Sequence, residues 1–425
     1  MPQLKREVPA ESAPRASCRP TPAVYIHGAA LSSVFGRNAA ETLEALHSGL
    51  PLAGRSAPPD FADPSPAVAA LLAQARRTSA LSPFENSQAL AEMLECAEPL
   101  AREACAAGIK AEDLALIAGT STAGLSETIA RVGKGDDAPQ AWLPMALGRA
   151  APLAASLLGI AGPAYVLSTA CTAGAKAIAE AARLIASDRV EAAIAGGLDA
   201  ANPLTEAGFT ALGARTPKGS LPFCEAREGL ALGPGGGFLL LSKRPSLAGR
   251  PALARLAGWG ETSDAHHISA PDPEGAGALD AMRLALKRAA LQPEDIDFII
   301  LHGTGTKQND AMESKAVHAL FGDSTPAASL KRAVGHQLAG AGAFSAAVAY
   351  ALLAAVREKG EAPLPLNAPA ALARDPTLPP LALVEKPCSR PLRRILVNAF
   401  AFGGSNISLI IEAAANEPDR DEATP

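Results

Sequence analysis

One cysteine in this sequence occupies a position where a thiol could act as a nucleophile. Cys171 lies in the segment T-A-C-T-A-G, after the apolar run 164–167 and directly before an Ala-rich segment with helical periodicity. At a helix N-terminus, free backbone N–H groups and the helix dipole favour a thiolate and a developing oxyanion. The small residues Ala170, Ala173 and Gly174 permit the sharp strand-to-helix turn of a nucleophile elbow. A buried, inert cysteine at the same junction is the alternative.

A candidate histidine follows a second apolar run. His302 comes after residues 298–301, and ligands bind at the carboxyl ends of strands in open α/β sheets. In the segment L-H-G-T-G-T the glycines allow a close backbone approach, while Thr304 and Thr306 offer hydroxyl groups to a polar ligand arm. A structural histidine at a strand end is the alternative, but the flanking G-T-G-T favours a ligand site.

Another histidine occurs close to a lysine. Lys331 and His336 both lie in the segment K-R-A-V-G-H-Q-L-A-G-A-G-A, and the histidine opens its Ala- and Gly-rich part. An imidazole and an ammonium group directed into an apolar region are costly for a fold unless they have a function. The alternative is a surface lysine with a histidine that caps the helix. The glycine turn in N-A-F-A-F-G-G-S-N, residues 398–406, adds backbone N–H groups that could face an anion or a carbonyl.

Alternating strands and helices must position these groups. Before about residue 250, apolar runs typical of strands alternate with helical segments, and the same order returns after Pro251. This alternation predicts an α/β fold with two similar halves and a parallel sheet covered on both faces by helices. We expect residues 23–250 to supply the cysteine and residues 251–413 to supply both histidines and the lysine.

Composition limits the remaining possibilities. The chain has 425 residues, and 48% of them are hydrophobic, which suffices for a large core. A net charge of −5 argues against nucleic-acid binding, and the scattered cysteines, without zinc spacing, are typical of the reducing cytoplasm. The uncharged segment 338–356 has the length of a membrane span, but its many Ala and Gly residues favour a buried helix. Residues 1–22, which lack the apolar region of a signal peptide, and residues 414–425 are expected to be disordered.

Taken together, the motifs resemble those of the elongating β-ketoacyl-[acyl-carrier-protein] synthases, which have the thiolase fold. The matching stretches are T-A-C-T-A-G, H-G-T-G-T, K-R-A-V-G-H-Q-L-A-G-A-G, F-G-G-S-N and residues 263–275. The resemblance runs from about residue 22 to residue 413. The order of the motifs fits a Cys-His-His site, unlike the Cys-His-Asn site of initiating synthases or the two-cysteine site of thiolases. It implies two similar halves in a five-layered αβαβα arrangement.

The resemblance implies a decarboxylative Claisen condensation in fatty-acid or polyketide-type biosynthesis. Cys171 would accept an acyl group from an acyl carrier protein as a thioester. His302 and His336 would stabilise the enolate that forms when a malonyl extender on the carrier protein loses carbon dioxide, and Lys331 would orient them. The product would be a 3-oxoacyl thioester.

The resemblance also implies roles for residues around the reacting atoms. The backbone N–H groups of Cys171 and Phe402 would form the oxyanion hole, and Phe402 would act as a gate between the two substrate positions. Thr304 and Thr306 would bind the phosphopantetheine arm. The other implied substrate-binding residues are Phe400, Gly403 and Gly404. No metal or redox cofactor is implied.

Several residues depart from the pattern of the family. Ser345 stands where a carboxylate that pairs with the lysine is common, so we expect Lys331 to be held differently. Cys224 replaces a usual Asp and Pro234 a usual Glu. These departures indicate a specialised synthase rather than a housekeeping one.

Two rival functions follow from the same resemblance. The first is a non-catalytic partner that sets chain length in a ketosynthase heterodimer, although such partners typically lack the nucleophile. The second is another thioester enzyme on the same scaffold, such as a thiolase or an acyl transferase. The expected partners are an acyl carrier protein and a second chain, either in a homodimer or in a heterodimer with a related ketosynthase or chain-length factor.

Overall fold

Strands and helices alternate along the chain, for which the computed structural model describes residues 23–52, 63–77 and 87–415. Up to residue 251 the strands are β1 (Val24–Ser32), β2 (Leu114–Gly119), β3 (Ala164–Leu167), β4 (Ala192–Asp199), β5 (Gly235–Ser242), β6 (Ser246–Leu247) and β7 (Arg250–Pro251). The helices of this part are α1 (Ala39–His47), α2 (Pro66–Arg77), α3 (Gln88–Ala106), α4 (Leu125–Val132), α5 (Ala150–Leu158), α6 (Ala173–Ala186) and α7 (Pro203–Ala211). The predicted leader and nearly all of the predicted tail lie outside the described residues.

The second part repeats this alternation. Its strands are β8 (Ala254–Ser263), β9 (Phe298–Leu301), β10 (Pro326–Ser329), β11 (Ala362–Pro363), β12 (Ala382–Leu383), β13 (Ser389–Arg390), β14 (Arg394–Ala401) and β15 (Ser405–Ala413). Its helices are α8 (Ala276–Ala289), α9 (Lys307–Phe321), α10 (Lys331–Val334) and α11 (Gly340–Lys359). Short 3₁₀ turns occur at residues 111–113, 139–145, 147–149, 293–295 and 402–404.

Eleven strands form one mixed sheet in the order β12-β10-β9-β14-β15-β8-β1-β5-β4-β2-β3. Strands β2, β3 and β4 run parallel to one another, as do β9, β10, β12 and β14. Strands β1, β5, β8 and β15 are antiparallel to each of their neighbours, and the two halves of the sheet meet where β1 pairs with β8. The predicted parallel sheet is therefore wrong for these four strands, because strands buried on both faces show the same apolar runs in either direction.

The helices add layers to the two halves of the sheet. Helices α3 and α5 cover the outer face of the first half, α8 and α9 cover the outer face of the second, and α6 and α11 lie between them. Apolar cores fill the spaces between these layers. Ile178 and Phe344 lie in the inner core, Met93 lies in one outer core and Met282 lies in the other. The predicted α/β class and the five-layered arrangement of two halves are confirmed.

Side-chain caps account for several helix boundaries. The side chain of Ser87 accepts the N–H of Leu90 at 3.1 Å at the start of α3. Asn202 caps α7 in the same way, with Pro203 at the first helical position. Helix α11 ends at Gly360, which has a φ of +82° and therefore adopts the left-handed backbone that glycine tolerates best.

Helix α11 contains the segment that has the length of a membrane span. Its most apolar 18-residue window has a mean hydropathy of 1.4, but 72% of that window is buried inside the fold. The helix contacts β5, β4 and β1 of the first half and β14 and β15 of the second. The 3₁₀ turn at residues 139–145 and the helical segment at residues 147–158 are together also long and apolar enough to span a membrane, although they are bent by 70°. Burial on both sides explains why α11 is apolar around its circumference.

Some elements differ from those expected from the sequence. Helix α9 begins at Lys307 rather than at Met312, because a polar first turn concealed its start. The region 361–390, expected to be a loop, includes three short strands, and one of them, β12, extends the main sheet beside β10. Strand β10 and the short helices α4, α5 and α7 were not expected, because short elements without strong periodicity resemble loops.

Gly174 allows the central helices α6 and α11 to pack closely at their N-terminal ends. The N–H of Gly174, in the first turn of α6, donates to the carbonyl of Ala339 at 3.0 Å. A Cβ atom on Gly174 would lie 2.6 Å from that carbonyl oxygen and 2.8 Å from the Cβ of Ala343. No side chain larger than hydrogen fits there without moving the backbone of α11.

We predict that Gly174→Ala lowers the free energy of unfolding by about 1–3 kcal/mol, since the added methyl group separates α6 from α11. Urea unfolding followed by circular dichroism measures this change. Gly208→Ala in the exposed helix α7 is the matched control, because an added Cβ there has no neighbour within 4 Å among the described residues outside its own stretch of helix. An unchanged stability of Gly174→Ala would contradict the close contact of the two helices.

Candidate active site

Cys171 lies at the turn between β3 and α6. Ala170, directly before it, has a φ of +52°, a left-handed conformation that is uncommon for residues other than glycine. The hydroxyl of Thr172 donates to the carbonyl of Thr169 at 2.7 Å and fixes the start of the helix. Cys171 itself is 8% exposed. The turn has the geometry of the nucleophile elbow expected from the sequence.

His336 contacts the cysteine directly from the other half of the chain. Its Nε2 lies 3.0 Å from Sγ of Cys171. The N–H of Leu338, a residue with a φ of +50°, donates to Nδ1 of His336 at 3.2 Å. This hydrogen bond makes Nδ1 an acceptor, so in the neutral ring the proton is assigned to Nε2. His336 therefore donates an N–H toward the sulfur and the space above it.

His302 lies beside His336 and is held by Lys331. The two imidazole rings have centroids 5.4 Å apart and are nearly perpendicular, at 83°. Nζ of Lys331 lies 3.4 Å from Nδ1 of His302 and also donates to the backbone carbonyl of His302. With an ammonium group beside Nδ1, the proton of the neutral His302 ring is assigned to Nε2 as well.

Burial controls the charge of these groups. Desolvation, followed by the positive charge of Lys331, lowers the pKa of both His302 and His336 well below the usual range of histidine. Burial also lowers the pKa of Lys331, while the nearby carboxylate of Glu313 opposes this shift. The site thus presents two neutral imidazoles at neutral pH.

The thiol of Cys171 responds to burial in the opposite direction. Burial raises its pKa to about 12, although Lys331 acts to lower it. At neutral pH the resting group is therefore a thiol, although the helix N-terminus favours a thiolate. The reason is that the free energy of removing a thiolate from water exceeds the stabilisation from the dipole and from the ammonium group.

Two buried carboxylates behind His302 were missed in the sequence. Glu313 accepts the backbone N–H groups of His302 and Gly303, each at 2.7 Å. Asp310 accepts the N–H of Phe223 at 2.8 Å, and burial raises the pKa of Asp310 to about 6. Both carboxylates lie in α9, on the part of the chain that directly follows H-G-T-G-T. Their three-residue spacing on a helix is the signal that could have found them.

A cavity of about 140 Å³ brings most of the predicted residues together. Its lining includes Cys171, His302, His336, Thr304, Thr306, Phe400 and Phe402. The hydroxyl groups of Thr304 and Thr306 lie 2.9 Å apart on its wall. The ring of Phe402 is 40% exposed and contacts the ring of Phe209, with centroids 5.7 Å apart. Lys331 is not part of the lining and lies behind His302.

The two glycines of the F-G-G-S-N turn are not among the residues that line the cavity. The N–H of Gly403 donates to the carbonyl of Ile268 at 2.8 Å, and the carbonyl of Gly404 accepts the N–H of Asp264 at 2.8 Å. Both glycines have positive φ angles, +81° and +74°. In the structure they connect the turn to the segment after β8, while their predicted contact with substrate stays a prediction.

The positions that depart from the family pattern are buried. Ser345 lies in α11, and the acidic groups that most raise the pKa of Lys331 are Glu313, Cys171 and Asp310. The carbonyl of Pro234 accepts the side chain of Gln337 at 3.3 Å.

Cys224 lies close to two buried arginines. Burial raises the pKa of its thiol to about 11, and Arg332 and Arg227 act against this shift. Arg227 pairs with Asp375 at 2.5 Å, whereas Arg332 donates to the carbonyl of Gly49 and its Nε has no hydrogen-bond partner among the described residues. Arg332 is therefore a buried cation whose main ionisable neighbour is a neutral thiol.

Comparison with known proteins gave consistent matches. The family model described as "Beta-ketoacyl synthase, N-terminal domain" matches residues 74–246, and the model described as "Beta-ketoacyl synthase, C-terminal domain" matches residues 253–359. A curated relative, 3-oxoacyl-[acyl-carrier-protein] synthase 2 of Rhizobium meliloti (strain 1021), is 37% identical over 284 residues, which cover 62% of this chain and 65% of the relative. The chain thus spans slightly less than two thirds of the length of the curated relatives that it matches first.

Solved structures resemble the chain over nearly its whole length. A chain from the complex of the ketosynthase ApeO with its chain length factor ApeC, from Xenorhabdus doucetiae, has a TM-score of 0.78 and 33% identity, covering 92% of this chain and 98% of that one. A chain of the ishigamide ketosynthase/chain length factor has a TM-score of 0.77 and 28% identity, covering 93% and 100%.

We predict that Cys224→Asp raises the free energy of unfolding by about 1–2 kcal/mol at pH 7, because the carboxylate supplies a counter-ion for Arg332. The arginine would lower the pKa of the new aspartate, so the gain should be present at pH 7 and be lost as the pH falls below about 4. Urea unfolding at pH 7 and below about pH 4 measures this change in the free energy of unfolding. Cys96→Asp, in an apolar core, is the control and should destabilise. Loss of stability in Cys224→Asp would contradict the unpaired arginine.

We predict that alkylation of Cys171 by iodoacetamide accelerates by about tenfold per pH unit from pH 7 to pH 9.5, since the thiolate fraction grows throughout this range when the pKa lies above it. Peptide mass spectrometry, with Cys171→Ala as the blank, measures the rate. A plateau below pH 8 would show that the helix N-terminus outweighs burial.

Proposed function

This chain belongs to the β-ketoacyl synthase family, and from that premise we propose that it is an acyltransferase that extends an acyl thioester held on Cys171. The observation that carries the proposal is the 3.0 Å contact between Sγ of Cys171 and Nε2 of His336, in a cavity that His302 also lines. In this proposal residues 23–250 supply the nucleophile and residues 251–413 supply both imidazoles and the lysine. The similarity to 3-oxoacyl-[acyl-carrier-protein] synthase 2 supports this reaction class.

The first proposed step transfers an acyl group to the protein. Sγ of Cys171 attacks the carbonyl of an acyl thioester on the phosphopantetheine arm of an acyl carrier protein. The bond between that carbonyl and the pantetheine sulfur breaks, and the thiol proton of Cys171 passes to the departing sulfur. The Nε2–H of His336 donates toward the cysteine sulfur as its negative charge develops. The raised pKa of the thiol fits a nucleophile that is deprotonated only during attack.

The second proposed step joins the extender to the acyl group. The carboxylate of a malonyl thioester leaves as carbon dioxide, and its electron pair remains as an enolate on the thioester oxygen. The Nε2–H groups of His302 and His336 donate to that oxygen, which neutral imidazoles can do at neutral pH. The enolate carbon attacks the acyl carbonyl on Cys171, and the bond between that carbonyl and Sγ breaks. The thiolate leaves and takes up a proton from solvent, and a 3-oxoacyl thioester results.

The remaining predicted residues fit around these steps. We propose that the N–H groups of Cys171 and Phe402 hold the tetrahedral oxyanion, with Phe402 as a gate, since both residues line the cavity. Thr304 and Thr306 would hold the phosphopantetheine arm, which is the group that carries the substrate, so no further cofactor is proposed. The ring of Phe400 meets that of His302 with centroids 6.0 Å apart and would help to position it.

The proposed partners are an acyl carrier protein and a second chain of the same fold. Strand β3 is the last in the order of the sheet, and it leads directly to the turn that bears Cys171. An edge strand offers free backbone groups for pairing with another chain. Similar chains occur in complexes of a ketosynthase with its chain length factor, which supports a heterodimer alongside the homodimer. We propose the reducing cytoplasm as the location, where Cys171 would stay a thiol.

A non-catalytic chain-length partner is the second candidate. Similar chains come from complexes that contain such a factor, and this is the observation in its favour. The arrangement of Cys171, His302, His336 and Lys331 around one site favours the synthase instead.

We predict that the purified protein, incubated with acyl carrier proteins that carry acyl groups of different length, gains the mass of one acyl group on Cys171. Malonyl-carrier protein should then remove the adduct and yield a 3-oxoacyl product, detected by intact-mass spectrometry. Cys171→Ala should lose both the adduct and the product while retaining its circular dichroism spectrum. A wild-type protein without any adduct would overturn the synthase in favour of the chain-length partner.

His302→Ala separates the two steps. Because His302 is assigned to the enolate, this variant should acquire the adduct at a rate close to that of the wild type. Its condensation should fall by about 100-fold or more, the usual cost of removing one oxyanion donor. An equal loss of both steps would contradict this assignment.

A further inference from the structure

Beside the site, a buried carboxylate takes no part in the proposed chemistry. Asp199, the last residue of β4, is 1% exposed. Its Oδ1 accepts the hydroxyl groups of Thr120 and Thr122 at 2.6 and 2.9 Å and the N–H groups of Ser121 and Thr122 at 2.9 and 3.0 Å. Its Oδ2 accepts the N–H of Ala339 at 2.9 Å. So many donors on one carboxylate are typical of a group that fixes its surroundings.

The donors to Asp199 come from both halves of the chain. Residues 120–122 form the turn after β2, and β2 itself ends at Gly119, whose added Cβ would lie 2.4 Å from the nitrogen of Gly174 in α6. Ala339 lies between His336 and α11, and its carbonyl accepts the N–H of Gly174 at 3.0 Å. Asp199 is therefore bonded to the two segments that flank the helix turn of Cys171.

We infer that Asp199 is a positioning residue that holds the start of α6, with Cys171, and the segment of His336 at contact distance. The inference rests on the proposed function, because it assigns Asp199 to the condensation step. The N–H of His336 donates to the carbonyl of Ala231 at 2.7 Å and the carbonyl of Ala339 accepts the N–H of Gly174, so the bond from Ala339 to Asp199 is one of several that hold this segment. Its loss would loosen residues 337–339 and let His336 shift relative to the sulfur. Since His336 serves the enolate as well as the thiol, condensation would be the step most affected.

The charge of Asp199 gives this role a signature of its own. Among the described residues, the charges that act on the thiol of Cys171 are those of Lys331 and Asp199, and the imidazole of His336 that contacts it is neutral. Lys331 favours the thiolate, while the carboxylate of Asp199 disfavours it. Burial raises the pKa of Asp199, but the hydrogen bonds from the 120–122 turn and from Ala339 oppose this shift and favour the carboxylate. Removal of the negative charge leaves the lysine unopposed and should make the thiol more reactive. A purely structural residue would not have this effect.

The decisive variant is Asp199→Asn, which keeps the shape of the side chain but removes its charge. Its amide nitrogen would face either the N–H of Ala339 or the donors of the 120–122 turn, so one set of hydrogen bonds must be lost. We expect alkylation of Cys171 by iodoacetamide at pH 8 to be at least threefold faster than in the wild type. Condensation should fall at least tenfold, while acylation should fall by much less than condensation.

Two further variants serve as comparisons. Asp199→Glu keeps the charge but shifts it by one methylene group, so alkylation should stay at the wild-type rate while condensation still falls. Glu92→Gln is the matched control, because Glu92 is also a buried carboxylate and accepts the hydroxyl of Ser32 at 2.8 Å in the outer core. This control should lower the melting temperature without altering the alkylation rate.

The outcomes separate this inference from the proposed function. Alkylation needs no carrier protein, so a wild-type chain that fails to condense would overturn the synthase while the alkylation rate still reports on Asp199. An Asp199→Asn variant with a lower melting temperature but wild-type alkylation and condensation would overturn the positioning role. If Asp199→Asn does not fold, Asp199→Glu decides, and wild-type condensation in that variant overturns the inference.

Discussion

The site depends on the contact between the N-terminal ends of the two central helices. The N–H of Gly174 in α6 bonds to the carbonyl of Ala339 just before α11, and only hydrogen fits as the side chain at position 174. This contact places Cys171, which precedes α6, against His336, which precedes α11. The five layers form around these helices, and their apolar faces bury the residues that the contact brings together.

Burial determines the chemistry that this geometry allows. Removal of water disfavours the charged form of a titratable group, so the pKa of both histidines falls and that of Cys171 rises to about 12. The acidic group of Glu313 lies near Lys331 and opposes the fall of the lysine's pKa, which favours the ammonium form. Neutral N–H donors suit a reaction in which negative charge appears only in passing, since they gain strength as the charge develops.

Departures from the family pattern alter charge rather than shape. Cys224 leaves Arg332 beside a neutral thiol, and Ser345 leaves the lysine to the carboxylates of α9. Both positions are buried, where the free energy of an unpaired charge is largest. These changes surround the site without replacing any group that lines the cavity.

Sequence alone determined the α/β class and most strands and helices near the site, because apolar periodicity is a local property. Motif spacing predicted the roles of Cys171, His302, His336 and Lys331, which stay predictions. It did not determine strand direction, since strands buried on both faces carry the same apolar runs whichever way they point. The carboxylate of Asp199 meets the N–H of Ala339, 140 residues further along the chain, only when the two halves pack together. The thiol of Cys171 likewise acquires its raised pKa only on burial. Hydrogen bonding and desolvation depend on residues far apart in the chain, so only the tertiary structure decided them.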